Sequence, residues 1–253
     1  MIEVFFLGIL QGVAEFLPIS SSGHLVVARN LLGLGDVGLR LDIFLHFGTL
    51  LAVFVFYFGT IKRIVIERKW DYLLKIAVSS LPVAIVGFAC MDFLEEVATV
   101  KTVGCSLVFT GIVLSLTSLV GARGDKSVSL GSALWMGLAQ AVAAIPGVSR
   151  SGMTISAARA IGVEPGKAAE FSFLMSAPPI AGAVLLHIAE IFSASDASGV
   201  VELPWGHCLF GAAIAALVGY FSLKLLVESL KRKYFWLFGP YCLSAGLLIL
   251  LLI

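Results

Sequence analysis

The sequence predicts an all-α, polytopic membrane protein built from two related halves, and three observations carry that prediction. Hydrophobic residues fill 59% of the 253 positions and charged residues only 13%, about half the roughly 25% usual in soluble domains. A soluble chain of this length could not hide so much apolar surface in one core. Second, apolar runs of about 20 residues recur, the length that crosses a bilayer as a helix. They are continuous and do not alternate at every second residue, which argues against a barrel. Third, the chain repeats itself. Gly8, Gln11, Ser22, Gly23 and Gly33 recur 129 residues later as Gly137, Gln140, Ser151, Gly152 and Gly162. That offset is about half the chain, so the repeat divides a single membrane domain, 1–253, into halves of about 1–120 and 130–253.

The first element, 2–33, is apolar but interrupted by Pro18-Ile19-Ser20-Ser21-Ser22-Gly23-His24. Irregular backbone survives at membrane depth only where protein or a wet cavity surrounds it, so this segment is expected to be a re-entrant helical hairpin. Runs at roughly 41–59, 72–91 and 100–120 follow as full spans. The segment 131–162 repeats the hairpin, with its break at Pro146-Gly147-Val148-Ser149-Arg150-Ser151-Gly152. Three further spans at roughly 168–190, 206–227 and 235–253 complete the second half. Each half thus holds one hairpin and three spans, and an odd span number inserts the halves with opposite topology.

Loop charge gives a separate test. Lys62, Arg63, Arg68 and Lys69, then Arg123 and Lys126, then Lys231, Arg232 and Lys233 fall on one side of a six-span arrangement. Asp92, Glu95, Glu96, Asp196 and Glu202 fall on the other. The positive-inside rule makes the basic side cytoplasmic and both termini outside. The first hairpin then enters from outside and the second from the cytoplasm, an arrangement that puts sites where broken helices meet. Glu3 and the lack of a basic leading region argue against a cleavable signal peptide. A net charge of +1 offers no electrostatic footprint for nucleic acid. Cys90, Cys105, Cys208 and Cys242 show no metal-ligand spacing.

The two breaks carry the chemistry. Glu15 in an apolar stretch needs a partner or water, and Gln11 shares its helical face four residues earlier. Ser20, Ser21 and Ser22 put hydroxyls beside Gly23, where backbone can approach a ligand closely, and His24 opens the next helix. Read alone, a serine run at a helix start is a cap and the histidine a packing residue. The second break shifts that balance. Ser149, Arg150, Ser151, Gly152 and Thr154 again give hydroxyls and free N–H groups at a helix start, and they add a permanent cation. A helix N-terminus favours phosphate, and arginine suits bidentate contact with it. An Arg150–Glu15 ion pair is the purely structural alternative, but it leaves the clustered hydroxyls unexplained. The combination reads as a phosphate-ester site.

The stretch Gly8-Ile9-Leu10-Gln11-Gly12-Val13-Ala14-Glu15-Phe16-Leu17-Pro18-Ile19-Ser20-Ser21-Ser22-Gly23-His24 resembles the first signature of the undecaprenyl-diphosphate phosphatase family, bacitracin-resistance type. Pro146-Gly147-Val148-Ser149-Arg150-Ser151-Gly152-Met153-Thr154 resembles its second, and the similarity continues through Glu170-Phe171-Ser172-Phe173-Leu174. The resemblance implies removal of the terminal phosphate from a C55 polyprenyl diphosphate at a bacterial or archaeal plasma membrane, recycling a lipid carrier for cell-wall polymers. It places the family's acidic pair at Gln11 and Glu15, its Ser/His element at Ser21 and His24, and its phosphate-binding element at Ser149, Arg150, Ser151 and Thr154. Gln11 stands where the family often has Glu and brings no negative charge. A divalent cation, Mg2+ or Ca2+, would then be held by Glu15 with the substrate's own phosphates.

The mechanism expected is in-line attack by Ser21 with His24 as its base, Arg150 and the helix-start N–H groups stabilising the transition state, and Glu15 orienting His24 or a cation. Two variants stay open: His24 as the phosphorylated residue, or His24 activating water while Ser21 only binds. A flippase or transporter of a polyprenyl phosphate is the rival class, since inverted repeats with broken helices are also a transporter plan; a homodimer is an open partner. Asp42 and His46, at i and i+4, support the hairpins or line a lipid entrance. Arg29, Arg159, Glu170 and His187 are expected in supporting ion pairs.

Overall fold

The structure is a computed structural model that describes residues 1–32, 39–119, 124–193 and 203–253, with the side chains of residues 39, 95 and 187–193 outside that description. Gly33, Arg123, Asp196 and Glu202, and the side chains of Glu95 and His187, therefore lie outside the described residues. All regular elements among the described residues are helices: α1 (Ile2–Ala14), α2 (Ser21–Leu32), α3 (Leu39–Phe56), α4 (Phe58–Ile66), α5 (Trp70–Ala89), α6 (Met91–Glu96), α7 (Val100–Leu116), α8 (Leu130–Val142), α9 (Arg150–Ala160), α10 (Pro165–Ser193), α11 (Trp205–Lys231), a 3-10 turn at Phe235–Leu237 and α12 (Phe238–Leu252).

Each expected span is helical, but they are not equivalent. Four helical stretches among the described residues are long and apolar enough to cross a membrane: Trp70–Ala89, Pro165–Leu186, Trp205–Lys231 and Phe235–Leu252. A fifth arises if α3 and α4 are joined across the 68° bend between them. The run expected at 41–59 therefore breaks at Tyr57, where the backbone leaves helical values. α4 then carries Lys62 and Arg63 away from the apolar stretch. The run expected at 100–120 is helical only from Val100 to Leu116, short of the roughly 20 residues of a full crossing. Its N-terminus is capped by Thr99, whose hydroxyl accepts from the Thr102 amide at 3.2 Å.

Some of the strongest helix pairings correspond when α1 is exchanged with α8, α3 with α10, α5 with α11, and α7 with α12, while α9–α10 has no such counterpart among the described residues. α1 packs on α11 as α8 packs on α5, α3 packs on α11 as α10 packs on α5, and α3–α10 and α7–α12 map onto themselves. The repeat-related glycines explain how two of these crossings become so close. A Cβ on Gly8 would lie 3.0 Å from the Gly211 carbonyl oxygen, and one on Gly137 would lie 2.5 Å from that of Ser79. Small residues let helix backbones touch where lipid gives no hydrophobic drive between helices.

The tightest such place is Gly48 on α3, whose Cβ would stand 2.2 Å from the Ala212 carbonyl oxygen on α11. Backbone cannot retreat as a side chain can. Gly48→Ala should therefore destabilise the fold by about 1–3 kcal/mol, the cost of overpacking, seen as a lower unfolding temperature in detergent. Gly59, with open space around its Cβ position, is the matching control.

The α5–α10 contact has a chemical cause. Pro178 and Pro179 lie inside α10, and each removes an N–H from the helix ladder. Met175, four residues before Pro179, loses its helical donor. The Ser80 hydroxyl on α5 approaches that carbonyl at 3.2 Å while donating to Ile76 oxygen at 2.8 Å. Outside the packed centre, Leu81, Ile85, Phe88, Leu209, Leu217, Phe221 and Leu248 are exposed, an apolar exterior suited to lipid.

Candidate active site

Two chain breaks meet in the middle of the bundle. α1 ends at Ala14, five turn residues follow, and Ser20 enters α2 with φ +71°. That left-handed geometry in a non-glycine residue costs about 1–3 kcal/mol and persists where surroundings enforce it. Ser20 Oγ accepts from the Gly23 amide at 3.3 Å, capping α2. The second break runs from the end of α8 to Ser149, whose Oγ accepts from the Gly152 amide at 3.1 Å and caps α9. Gly147, at φ +90°, provides the reversal between them.

The breaks interlock. A Cβ on Gly23 would lie 3.1 Å from Gly147 Cα, the Gly147 amide donates to Ser22 Oγ at 3.5 Å, and Ser151 Oγ donates to the Leu17 carbonyl at 3.3 Å. Thr110 on α7 braces the junction by accepting from the Ser149 amide at 3.2 Å. Cys242 Sγ on α12 sits 3.4 Å from the Pro18 carbonyl.

Glu15 is the hub. One carboxylate oxygen, Oε1, pairs with Arg150 Nη2. The other, Oε2, accepts from Ser21 Oγ at 2.5 Å and from Gln11 Nε2 at 3.1 Å. His46 Nε2 on α3 lies 3.8 Å from the same oxygen. These groups face a cavity of about 180 Å³ lined by Glu15, Ser20, Ser21, Ser22, His46, Ser149 and Arg150, with Ala14, Ala143, Val148 and Ile180 completing it. The cavity is lined by a carboxylate that accepts from a serine, by that serine, by a guanidinium, and by the residues at the start of α9. In the first turn of a helix the amides have no internal partner, and the dipole adds positive potential there.

The structure sorts the expected site residues into three groups. Glu15, Ser20, Ser21, Ser22, Ser149 and Arg150 line the cavity. Gln11, Ser151, Gly152 and Thr154 lie buried around its base. Gln11 donates its Nε2 to Glu15 while its Oε1 is buried without a hydrogen-bond partner, and Thr154 Oγ1 donates to the Arg150 carbonyl at 2.8 Å and pairs with Ser172 Oγ at 2.6 Å. Their geometry supports the lining residues instead of presenting them to a ligand. His24 is the exception. Its Nδ1 donates to the Ser20 carbonyl at 2.8 Å, which leaves Nε2 to accept from Tyr241 O–H at 2.8 Å. The ring also stacks on Tyr241. The expected Ser21–His24 hydrogen bond is therefore replaced by Ser21–Glu15. Being only one turn into α2 ties the imidazole back to the carbonyl that the left-handed Ser20 presents.

Several partners were not read from the sequence as site residues: His46, Tyr241, Thr110 and Ser172. His46 had a usable signal, an ionisable residue inside an apolar run. Its Nδ1 is bonded to the Asp42 carbonyl at 2.9 Å, while Asp42 pairs with Arg29. Glu170 takes a hydrogen bond from Thr60 at 3.0 Å, and Arg159 lies over the Phe235 ring.

The donor set does not build a metal cage from protein groups alone. Among the described residues no cluster of three His, Cys, Asp or Glu side chains is placed to hold an ion. Gln11 supplies no charge, and the Glu15 carboxylate already faces Arg150, Ser21 and Gln11.

Comparison with known proteins fits this geometry. A family model described as "Bacitracin resistance protein BacA" matches residues 4–248. An undecaprenyl-diphosphatase of Halothermothrix orenii is 40% identical over 256 residues, covering 99% of this chain and 97% of its own. One of Desulforapulum autotrophicum is 37% identical, covering 96% of this chain and 94% of its own. Undecaprenyl-diphosphatase 3 of Bacillus cereus is 36% identical, covering 99% and 96%. A family match over nearly the whole length, with relatives at this level of identity, establishes that the chain belongs to the bacitracin resistance protein BacA family.

Proposed function

We propose that the protein is a membrane phosphatase that cleaves undecaprenyl or a related polyprenyl diphosphate to the monophosphate and inorganic phosphate. This returns a lipid carrier to cell-wall polymer synthesis and underlies bacitracin resistance. The observation that carries the reading is the shared contact on Glu15: Ser21 donates to one carboxylate oxygen while Arg150 holds the other, beside one cavity. The printed names of the relatives support the substrate class.

In the chemistry this geometry favours, Ser21 Oγ attacks the terminal phosphorus and gives its proton to Glu15. The bridging P–O bond breaks, and the polyprenyl phosphate leaves with that electron pair. Arg150 keeps one nitrogen on Glu15 and offers its remaining donors, with the Arg150 and Ser151 amides, to the phosphoryl oxygens. Water then cleaves the phosphoserine, and Ser21 recovers its proton from Glu15. His24 acts by fixing the Ser20 carbonyl, and with it the direction of Ser21. The divalent ion, Mg2+ or Ca2+, is proposed to arrive on the diphosphate, since the residues alone do not cage one. The basic loops are proposed to face the cytoplasm, with both termini outside, the halves inverted and the protein in the inner membrane.

The test is phosphate release from a polyprenyl diphosphate by purified protein, with and without chelator. Ser21→Ala should lower the rate by at least about 10³-fold, as expected for loss of a nucleophile's covalent route. Acid-stable phosphate trapped on Ser21 supports the serine route, and acid-labile phosphate on His24 overturns it. No release from folded parent protein across lipids and divalent ions favours the transport reading.

A further inference from the structure

A second cavity of about 480 Å³ adjoins the phosphate pocket. The two share Ser22, His46, Ala143, Arg150 and Ile180 as lining residues. Beyond that shared mouth the wall carries Asp42 and is otherwise mainly apolar, with Ile43 from α3, Val83 from α5, and Pro179, Ala183 and Val184 from α10. Along this wall Val184 is buried and Ala183 is exposed. The paired prolines of α10 and the Ser80 contact that relieves them hold this wall in place. Gln140 also lines the cavity, is 2% exposed, and has neither amide atom hydrogen-bonded.

A competing groove of about 410 Å³ lies between α7, α8 and α9, lined by Val113, Leu116, Trp135, Ala139 and Met153 among others. It shares no lining residue with the phosphate pocket. A lipid whose phosphate is held at Arg150 must continue directly into a contiguous space, which only the first cavity provides of the two.

Resting on the phosphatase reading, we propose that the cavity between α3, α5, α8 and α10 is the prenyl-chain subsite: it holds the isoprene units nearest the diphosphate and admits the chain sideways past Ala183. Its size sets what it reads. At about 30 Å³ per heavy atom, the figure for liquid water, about 480 Å³ holds roughly sixteen atoms, or about three isoprene units. The rest of a long chain lies in the bilayer, where it adds no protein contact. The Gln140 amide is placed to meet the phosphate that stays on the lipid.

The experiment measures KM, kcat and equilibrium binding for prenyl diphosphates of one, two, three, four and more isoprene units, with full-length protein in detergent. For the parent, KM should fall up to about three units and level off beyond. In Ala183→Trp the KM for the three-unit substrate should rise at least about tenfold, as when two methylenes lose burial. Its kcat and its inhibition by inorganic phosphate should stay within about twofold, the scatter of a distant substitution. Ala139→Trp, in the other groove, should leave all of these unchanged. Affinity independent of chain length in the parent overturns the proposal without using any variant. So does a KM rise in Ala139→Trp with none in Ala183→Trp. If the parent binds prenyl diphosphates with this length dependence but releases no phosphate, the phosphatase reading fails and the subsite stands.

Discussion

Glu15→Gln should abolish turnover and weaken the fold together. The carboxylate is the acceptor for the Ser21 hydroxyl at 2.5 Å, and an amide in its place cannot take that proton. Removing a positioned proton acceptor costs about 10²–10⁴ in rate. The same change leaves Arg150 at membrane depth without its anion, and breaking a buried pair from one side costs about 3–5 kcal/mol. Phosphate release and thermal unfolding should therefore both fall in Glu15→Gln. Glu15→Asp keeps the charge but withdraws it from Ser21; it should recover much of the stability and little of the rate. A Glu15→Gln protein with more than about a tenth of parental kcat would show that Glu15 is only a brace.

Arg150→Lys should be nearly as damaging to catalysis and far less damaging to stability. Lysine preserves the positive charge beside Glu15 but not the planar fork, which can hold a carboxylate and a phosphoryl oxygen at once. Arginines that stabilise phosphoryl transition states are worth about 10³–10⁵ in kcat. Arg150→Lys is expected to lose about 10²-fold or more in kcat with a smaller change in KM, because the interaction strengthens as charge develops. Arg150→Met combined with Glu15→Gln removes both charges. That double variant should unfold at a higher temperature than Glu15→Gln alone and remain inactive. The comparison separates the pair's structural contribution from its chemical one. Equal losses of KM and kcat across both single variants would instead point to a general failure to fold around the hairpin tips.

The elements that local chemistry determines were legible in order. Apolar length marked α5, α10, α11 and α12 as crossings. The Pro-Ser-Gly runs marked both breaks, and a serine caps the helix after each, Ser20 on the Gly23 amide and Ser149 on the Gly152 amide. Gly8 and Gly137, which the sequence offset relates, both sit at close helix crossings, and Gln11 and Gln140 are both buried. Less was legible where local signals compete. The bend at Tyr57 and the short α7 lie in runs whose hydropathy alone reads as continuous.

The partnership at the site is where the sequence stopped. His24 is three residues from Ser21, and nearness along the chain made it the natural base. The strained Ser20 carbonyl and Tyr241, 217 residues away, bind both of its nitrogens. His46 comes to Glu15 from α3, and Ser172 reaches Thr154 from α10. Composition, apolar length and the two hydroxyl-rich chain breaks follow from the sequence by itself, because each depends on neighbours within a helix turn or on solvent preference. That Ser21 donates its hydrogen bond to Glu15, and that a mainly apolar cavity adjoins the pocket at Arg150, were decided only by tertiary packing. A hydrogen bond depends on a few tenths of an ångström between groups on different helices, and those positions are fixed by glycine-lined contacts between helices that are distant in the chain.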